Sequence, residues 1–511
     1  MAEVSSSRVY PELSFIHWTV GEKSNRQFLW IAVIATLAQF ILFKLLYPFA
    51  DFFGDSYSYI YAAYANLDIN IWPIGYSKFL RAFHAITYSD TALVAFQYFF
   101  LELASLYFFF TITYFFRPAR NTSWFLFAFL FFNPLYLYLS NYVNSDPLFA
   151  ALSLVWFTEL IWIIRRPKLL QLLTQSILLF LAFTVRHNAM YYPVIGAIAF
   201  ILSNHSLKRK WVGSLLGLFL IIPFVIHERN EAYKMYGYRQ FSPMSGWVLA
   251  NNALYMYGHL EIDSTELPNA ECRKLDQLSK NFYRTVIPEF DTYLSKYTAT
   301  FFMRQSDAPL KQYFTMHYHP IDDYGSIVAW GKASHVFDTY GSWLIKHHPI
   351  EFAHYFLWLN IKKYFLPPLE KMEVYNLGEN KVSPIAKFWF HYKSDHVHSI
   401  SSTLQGFSLF AFPVLFMVMN FYLVGIFLLL LITRKYKQID TDRIRWALLS
   451  GSFLLLNFCF SVLVSIVVFR YQFVPMIICF CLSLQCLEWT ERKEIQTETR
   501  FVEKSKPLNP V

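Results

Sequence analysis

Four short stretches hold the residues whose types and spacing suit chemistry. In the first, PFADFFGDSYSYI (48–60), Asp51 and Asp55 stand four apart with Gly54 between them, and Tyr59 follows. A carboxylate in aromatic surroundings at a membrane surface has a raised pKa and can take a proton from an incoming hydroxyl. The plainer reading of either Asp is a solvated loop residue, or a cap for a helix starting near Ser56. In the second, NYVNSDP (141–147), Asp146 precedes Pro147 at the start of an apolar run, which also suits a helix N-cap. The third is Arg186-His187-Asn188, where an Arg ending an apolar run can hold a phosphate or anchor the run at an interface. Arg470-Tyr471 is the fourth and carries the only charge between the last two apolar runs. An isolated charge at a membrane boundary is a functional candidate, with snorkelling as the alternative. Carboxylates and arginines on one face suit a phosphate-bearing substrate, with a divalent metal (Mg or Mn) on Asp55 and Asp146 as one way of holding the phosphate.

Residues so far apart in sequence need a scaffold that brings them level. Of the 511 residues, 55% are hydrophobic and only 15% charged, where a soluble domain carries roughly 25% charged residues. Apolar runs near the ~20-residue length of a span are 28–47, 92–116, 124–139, 147–164, 169–185, 189–203, 211–226, 403–432, 446–469 and 472–487. The pattern predicts an all-α polytopic membrane protein with about 10 transmembrane helices (roughly 8–12). The polar N-terminal stretch lacks the apolar core of a signal peptide, so the first run reads as an uncleaved span.

Basic residues set the orientation. With the N-terminus inside, Arg117 and Arg120, Arg165 to Lys168, Lys208 to Lys210, Arg434 to Arg445 and Arg492 with Lys493 all fall on the cytoplasmic side. The expected organisation is a cytoplasmic segment (1–27), an N-terminal transmembrane core (28–226) with a first outer loop (48–91), a mixed extracytoplasmic segment (227–402), C-terminal transmembrane helices (403–490) and a cytoplasmic tail (491–511). Within the outer segment, PIEFAHYFLWLNIKKYFLP (349–367) reads as an interfacial helix. The four chemical stretches then share the outer side.

Other signals are weaker. The net charge of +9 comes from short clusters between apolar runs, which speaks for membrane lipids as partners and against nucleic acid. The five cysteines form no pairing or zinc spacing. His317 and His319 with Asp322 and Asp323, His347-His348, and His396 with His398 offer zinc-ligand types without a spacing signature. The stretch Ser245–Asn252 reads as a packed or substrate-contacting segment. No Walker loop, dinucleotide fingerprint or Gly-x-Ser-x-Gly elbow is present.

Gly54-Asp55-Ser56 with Tyr59, placed just after the first span, resembles the first-loop acidic motif of the GT-C superfamily of membrane glycosyltransferases. Ser145-Asp146-Pro147 is similar to the second acidic position of that family. Arg186-His187-Asn188 resembles the arginine turn after the fifth span of bacterial members, and Arg470-Tyr471 with Pro475 resembles their late Arg-Tyr-x-x-Pro run. The similarity covers roughly 28–200 and 446–487; the nearest branches are the bacterial protein-mannosyltransferase-like and aminoarabinose-transferase-like enzymes. It implies a GT-C-like core and a polyprenyl-phosphate sugar as donor, with an extracytoplasmic acceptor (lipid, glycan or protein). Asp55 or Asp51 would be the catalytic carboxylate, since many members carry two adjacent acidic residues where this chain separates them. Tyr59, Asp146, Arg186, His187, Arg470 and Tyr471 would bind substrate, in a bacterial inner membrane with the active face periplasmic. A transporter or flippase of lipid-linked or polar substrates is the rival, and a non-catalytic binding protein is a third reading. Few ionisable residues within the spans, Lys44, Glu102 and Glu159 among them, and no visible repeat weigh against transport.

Overall fold

A computed structural model describes residues 14–286, 300–464 and 467–504. Residues 1–13 of the expected N-terminal segment and 505–511 of the tail lie outside the described residues. Those described fold as helices with no β-strand; the only extended pairings are two isolated bridges. Eight helices are long and apolar enough to cross a membrane: Lys23–Leu46, Asp90–Phe116, Arg120–Asn141, Ser145–Arg165, Leu207–Tyr236, Leu404–Ile432, Thr441–Leu463 and Phe469–Trp489. Two shorter apolar helices, Gln171–Val185 and His187–Leu202, stand between them. The chain is therefore an all-α, multi-pass membrane protein, and each apolar run of the sequence falls on one of these ten helices.

Burial separates central from peripheral helices. In the apolar stretches of Ser145–Arg165 and Phe469–Trp489, 83% of residues are buried inside the protein, against 17% in Lys23–Leu46 and Leu404–Ile432. The two central helices begin at the stretches that carry Asp146 and Arg470. Local signals start several elements: Ser89 caps the helix from Asp90, Asn133 caps the turn into Pro134, and Ser242 caps the helix from Pro243.

The segment expected to be mixed carries helices joined by irregular stretches, with no strand where described. Pro243–Tyr257 lies along Asp323–His347, and with Ala270–Asn281 and Pro309–His317 they enclose a second core around Trp247, Leu254, Phe337 and Tyr340. We call this unit the helical cap. Its two long helices meet at glycines: a Cβ on Gly246 would run into the Ser334 carbonyl oxygen, and one on Gly341 would come 2.7 Å from the Ala250 nitrogen. The stretch read as an interfacial helix is helical from Pro349 to Phe365. It joins the two cores: Phe356 is buried in the cap, whereas Asn360 donates to the Val462 carbonyl (3.2 Å) and Tyr364 packs on Phe416 and Phe458. The last helix runs on to Lys504, past the end of its membrane-spanning part at Trp489.

The connecting turns gather at two ends. At one, Arg165 pairs with Asp442, Glu488 accepts from the Ala119 amide (2.9 Å), and Arg445 donates to Asn204 (3.3 Å). These are the turns with the basic clusters. At the other end lie the helical cap and the four chemical stretches.

Candidate functional site

The site begins with a short parallel contact. The Asp51 amide donates to the Asn141 carbonyl (2.8 Å) and the Val143 amide donates to the Asp51 carbonyl (3.1 Å), bridging Asp51 and Tyr142. Helices Gly54–Tyr64 and Ser145–Arg165 start three residues beyond each bridge partner. Equal spacing along parallel chains brings Asp55 and Asp146 level, each in a first helical turn, where a carboxylate is favoured by the helix dipole. Asp51 and Asp55, four apart, do not share a helix face, because the helix begins only at Gly54. Asp146 is not the N-cap either: Asn144 holds that position, and Asp146 turns inward.

Asp146 pairs with Arg186, and Arg470 Nη1 reaches its other oxygen at 3.1 Å. Arg470 also lies 3.9 Å from Asp55 Oδ2, and Lys371 Nζ lies 3.1 Å from the same oxygen. Arg304 pairs with Glu370 at 3.2 Å beside them. In this cluster four cations face three carboxylates, so one positive charge is in excess. Aromatic rings hold the cations in place: Phe53 lies 4.0 Å from Lys371 Nζ and 5.1 Å from the Arg470 guanidinium, and Tyr471 lies 4.3 Å from that of Arg186. Burial pushes the Asp55 carboxyl up, yet Lys371, Arg470 and Arg304 outweigh it and hold it below the usual carboxylate range. Burial lowers Lys371 to about 8 against the pull of Asp55.

Next to the cluster opens a cavity of about 940 Å³ between the bundle and the helical cap. Asp55, Tyr59, Arg186, His187, Arg470 and Tyr471 all line it. Tyr59 shares a hydrogen bond with Ser145 (3.0 Å), and the Tyr471 hydroxyl accepts from Arg470 (3.1 Å). His187 stacks on Phe241 with ring centroids 4.3 Å apart. Ser245, Val248, Leu249 and Asn252 line the opposite wall; their i, i+3, i+4, i+7 spacing is one face of a cap helix. Phe460, Leu463, Val464 and Val468 make an apolar end at the close of a membrane helix.

Asp51 and Asp146 are not part of this lining. Asp146 sits behind Arg186 and Arg470 and holds both. Asp51 is 1% exposed and turns away from the cavity to accept from the Asn376 amide (2.9 Å). Lys371, Arg304 and Glu370 line the cavity although the sequence reading passed over them. Their only sequence signal is charge beside the apolar stretches of the 227–402 segment.

A divalent metal does not fit the donor set. Asp55 and Asp146 are the expected ligands, yet their oxygens already face Lys371, Arg470 and Arg186, which a dication would have to displace. Among the described residues no three His, Cys, Asp or Glu side chains gather to hold a metal. His317 instead contacts the carbonyl of Tyr313, and Asp322 caps the helix from Asp323.

No protein-family model, curated protein or solved structure matches this chain.

Proposed function

We propose that this protein is a membrane glycosyltransferase that moves a sugar from a polyprenyl-phosphate donor to an acceptor hydroxyl on the extracytoplasmic side. The observation that carries the reading is Asp55, a carboxylate on the cavity wall, set against Arg470 and Lys371 with Arg186 lining the same cavity, the three cations coming from separate elements. The donor phosphate lies against these cations, with its lipid chain toward Phe460, Leu463 and Val464. The acceptor oxygen forms a bond to the anomeric carbon, the bond from that carbon to the phosphate oxygen breaks, and the acceptor proton passes to Asp55. Charge grows on the leaving phosphate in the transition state, so fixed cations there stabilise it more than the ground state. Once the phosphate shares those cations, their hold on Asp55 weakens and its proton affinity rises toward that of an ordinary carboxylate. The basic turns at the far end support a site outside the cytosol; a bacterial inner membrane is the setting proposed from the resemblance.

One observation favours the rival transporter. Glu102 is 5% exposed within the Asp90–Phe116 helix, and buried carboxylates in spans often serve transport. It does not line the cavity. Feeding radiolabelled polyprenyl-phosphate sugars to purified membranes separates the two readings. Asp55→Asn at matched expression should lose roughly 10²–10⁴-fold in transfer, the usual contribution of a general base. Movement of lipid-linked sugar across vesicles by both proteins, with no transfer by either, establishes the transporter instead.

A further inference from the structure

Asp51 lies outside the cavity, yet its surroundings connect it to Lys371. Oδ1 accepts from the Asn376 amide (2.9 Å). Oδ2 is buried with no hydrogen-bond partner; the backbone bridge sets Tyr142 beside Asp51, and Tyr142 and Gln405 are the side chains that act on its carboxyl. Tyr142 is already engaged: its oxygen accepts from Gln405 Nε2 (2.7 Å), and its one proton goes to the Lys371 carbonyl (2.7 Å). The Tyr375 hydroxyl donates to the Ala50 carbonyl (3.0 Å), tying the same loop to the segment that carries Asp51. That loop is tightly bent, with Glu370, Asn376 and Leu377 all at positive φ, and such conformations persist only where their surroundings fix them.

A phenol that has given its proton to a carbonyl can only accept from Asp51. A hydrogen bond from the unpaired Oδ2 to the Tyr142 oxygen would therefore take its hydrogen from the acid. We propose that Asp51 keeps its proton and, donating to Tyr142, is a positioning residue that fixes Lys371 against Asp55. Ionised, Asp51 would draw the Tyr142 proton to itself and leave the Lys371 carbonyl unpaired in a buried place. The titratable side chains that face Asp51 are phenols, those of Tyr47, Tyr57, Tyr142 and Tyr375, and no cation is among the groups acting on it. Burial accordingly raises its carboxyl to about 8. The position of Lys371 follows from this inference alone; its contact with donor phosphate rests on the proposed function.

Three variants of the full-length protein in lipid nanodiscs test the inference. The Asn amide can donate where the acid did, so Asp51→Asn should keep transfer at neutral pH within a few-fold of wild type. Asp51→Ala and Tyr142→Phe, which break the chain of hydrogen bonds, should each raise the donor KM at least tenfold. The sign of the stability change is fixed: the native carboxyl titrates near 8 and the free one near 3.8. Its contribution is therefore complete below the free value, declines as pH rises, and is gone above the native value. Wild type should show that decline in melting temperature, and Asp51→Asn should lack it. Infrared difference spectra should show wild type losing a protonated-carboxyl carbonyl band near the native value, a loss missing in Asp51→Asn. Two results overturn the inference: a folded Asp51→Asn as inactive as Asp55→Asn, or the same band and melting slope in both proteins. If wild type transfers nothing from any donor, the proposed function fails, and the infrared and melting results still decide the proton on Asp51.

Discussion

Lys371 is the residue on which the chemistry of the site turns. Deprotonating it removes a cation from the proposed phosphate position, so transfer should fall as pH rises through about 8. Ionisation of Asp51 in the same range makes the fall steeper than one proton. Lys371→Arg should remove one of the two steps, Asp51→Asn the other, and the double variant both; pH profiles of kcat/KM measure this. Asp146 behaves differently, because it lies behind the arginines. Asp146→Ala leaves two guanidinium groups without their shared carboxylate, a loss of about 3–5 kcal/mol for a broken buried pair, read as a lowered melting temperature. Asp55, Asp146, Arg186 and Arg470 were legible in the sequence because each is one of very few charges beside an apolar run. Lys371 was not: it meets Asp55 across 316 positions of chain, and nothing in PPLEKMEVY marks that lysine as buried. The role of Asp51 was hidden for another reason. A carboxylate four residues from another suggests a shared face, and only the start of the helix at Gly54 separates them.

At the scale of elements, the cavity wall depends on how closely two cap helices approach. Gly246→Ala places a methyl group against the Ser334 carbonyl, and overpacking of this kind costs about 1–3 kcal/mol or more. The helix that carries Ser245, Val248, Leu249 and Asn252 has to shift, so the melting temperature should fall and the acceptor KM rise. Apolar runs foretold the membrane helices well, since length and hydropathy suffice for a span. The cap was illegible because its helices are half polar and meet through glycines that carry no hydropathy signal. A bridge of two hydrogen bonds at Asp51 and Tyr142, likewise invisible in composition, sets the level of both acidic helix starts.

For the whole molecule, charge and geometry divide the turns into the same two sets. Orientation is tested by single cysteines at exposed positions: Glu261→Cys on the cap should react with an impermeant maleimide in intact cells, and Lys208→Cys should react only after lysis. The reverse pattern would put the cavity in the cytosol and remove the extracytoplasmic acceptor from the proposal. One feature of the cavity reaches beyond the protein itself. Leu463 and Val464, at its apolar end, are 54% and 53% exposed at the close of a membrane helix, so the lipid-borne donor of the proposed reaction would arrive sideways through the bilayer. Its supply is then counted per unit area of membrane. On the proposed function, diluting the donor with inert lipid should slow transfer, whereas diluting the vesicles in buffer should leave the rate per protein unchanged.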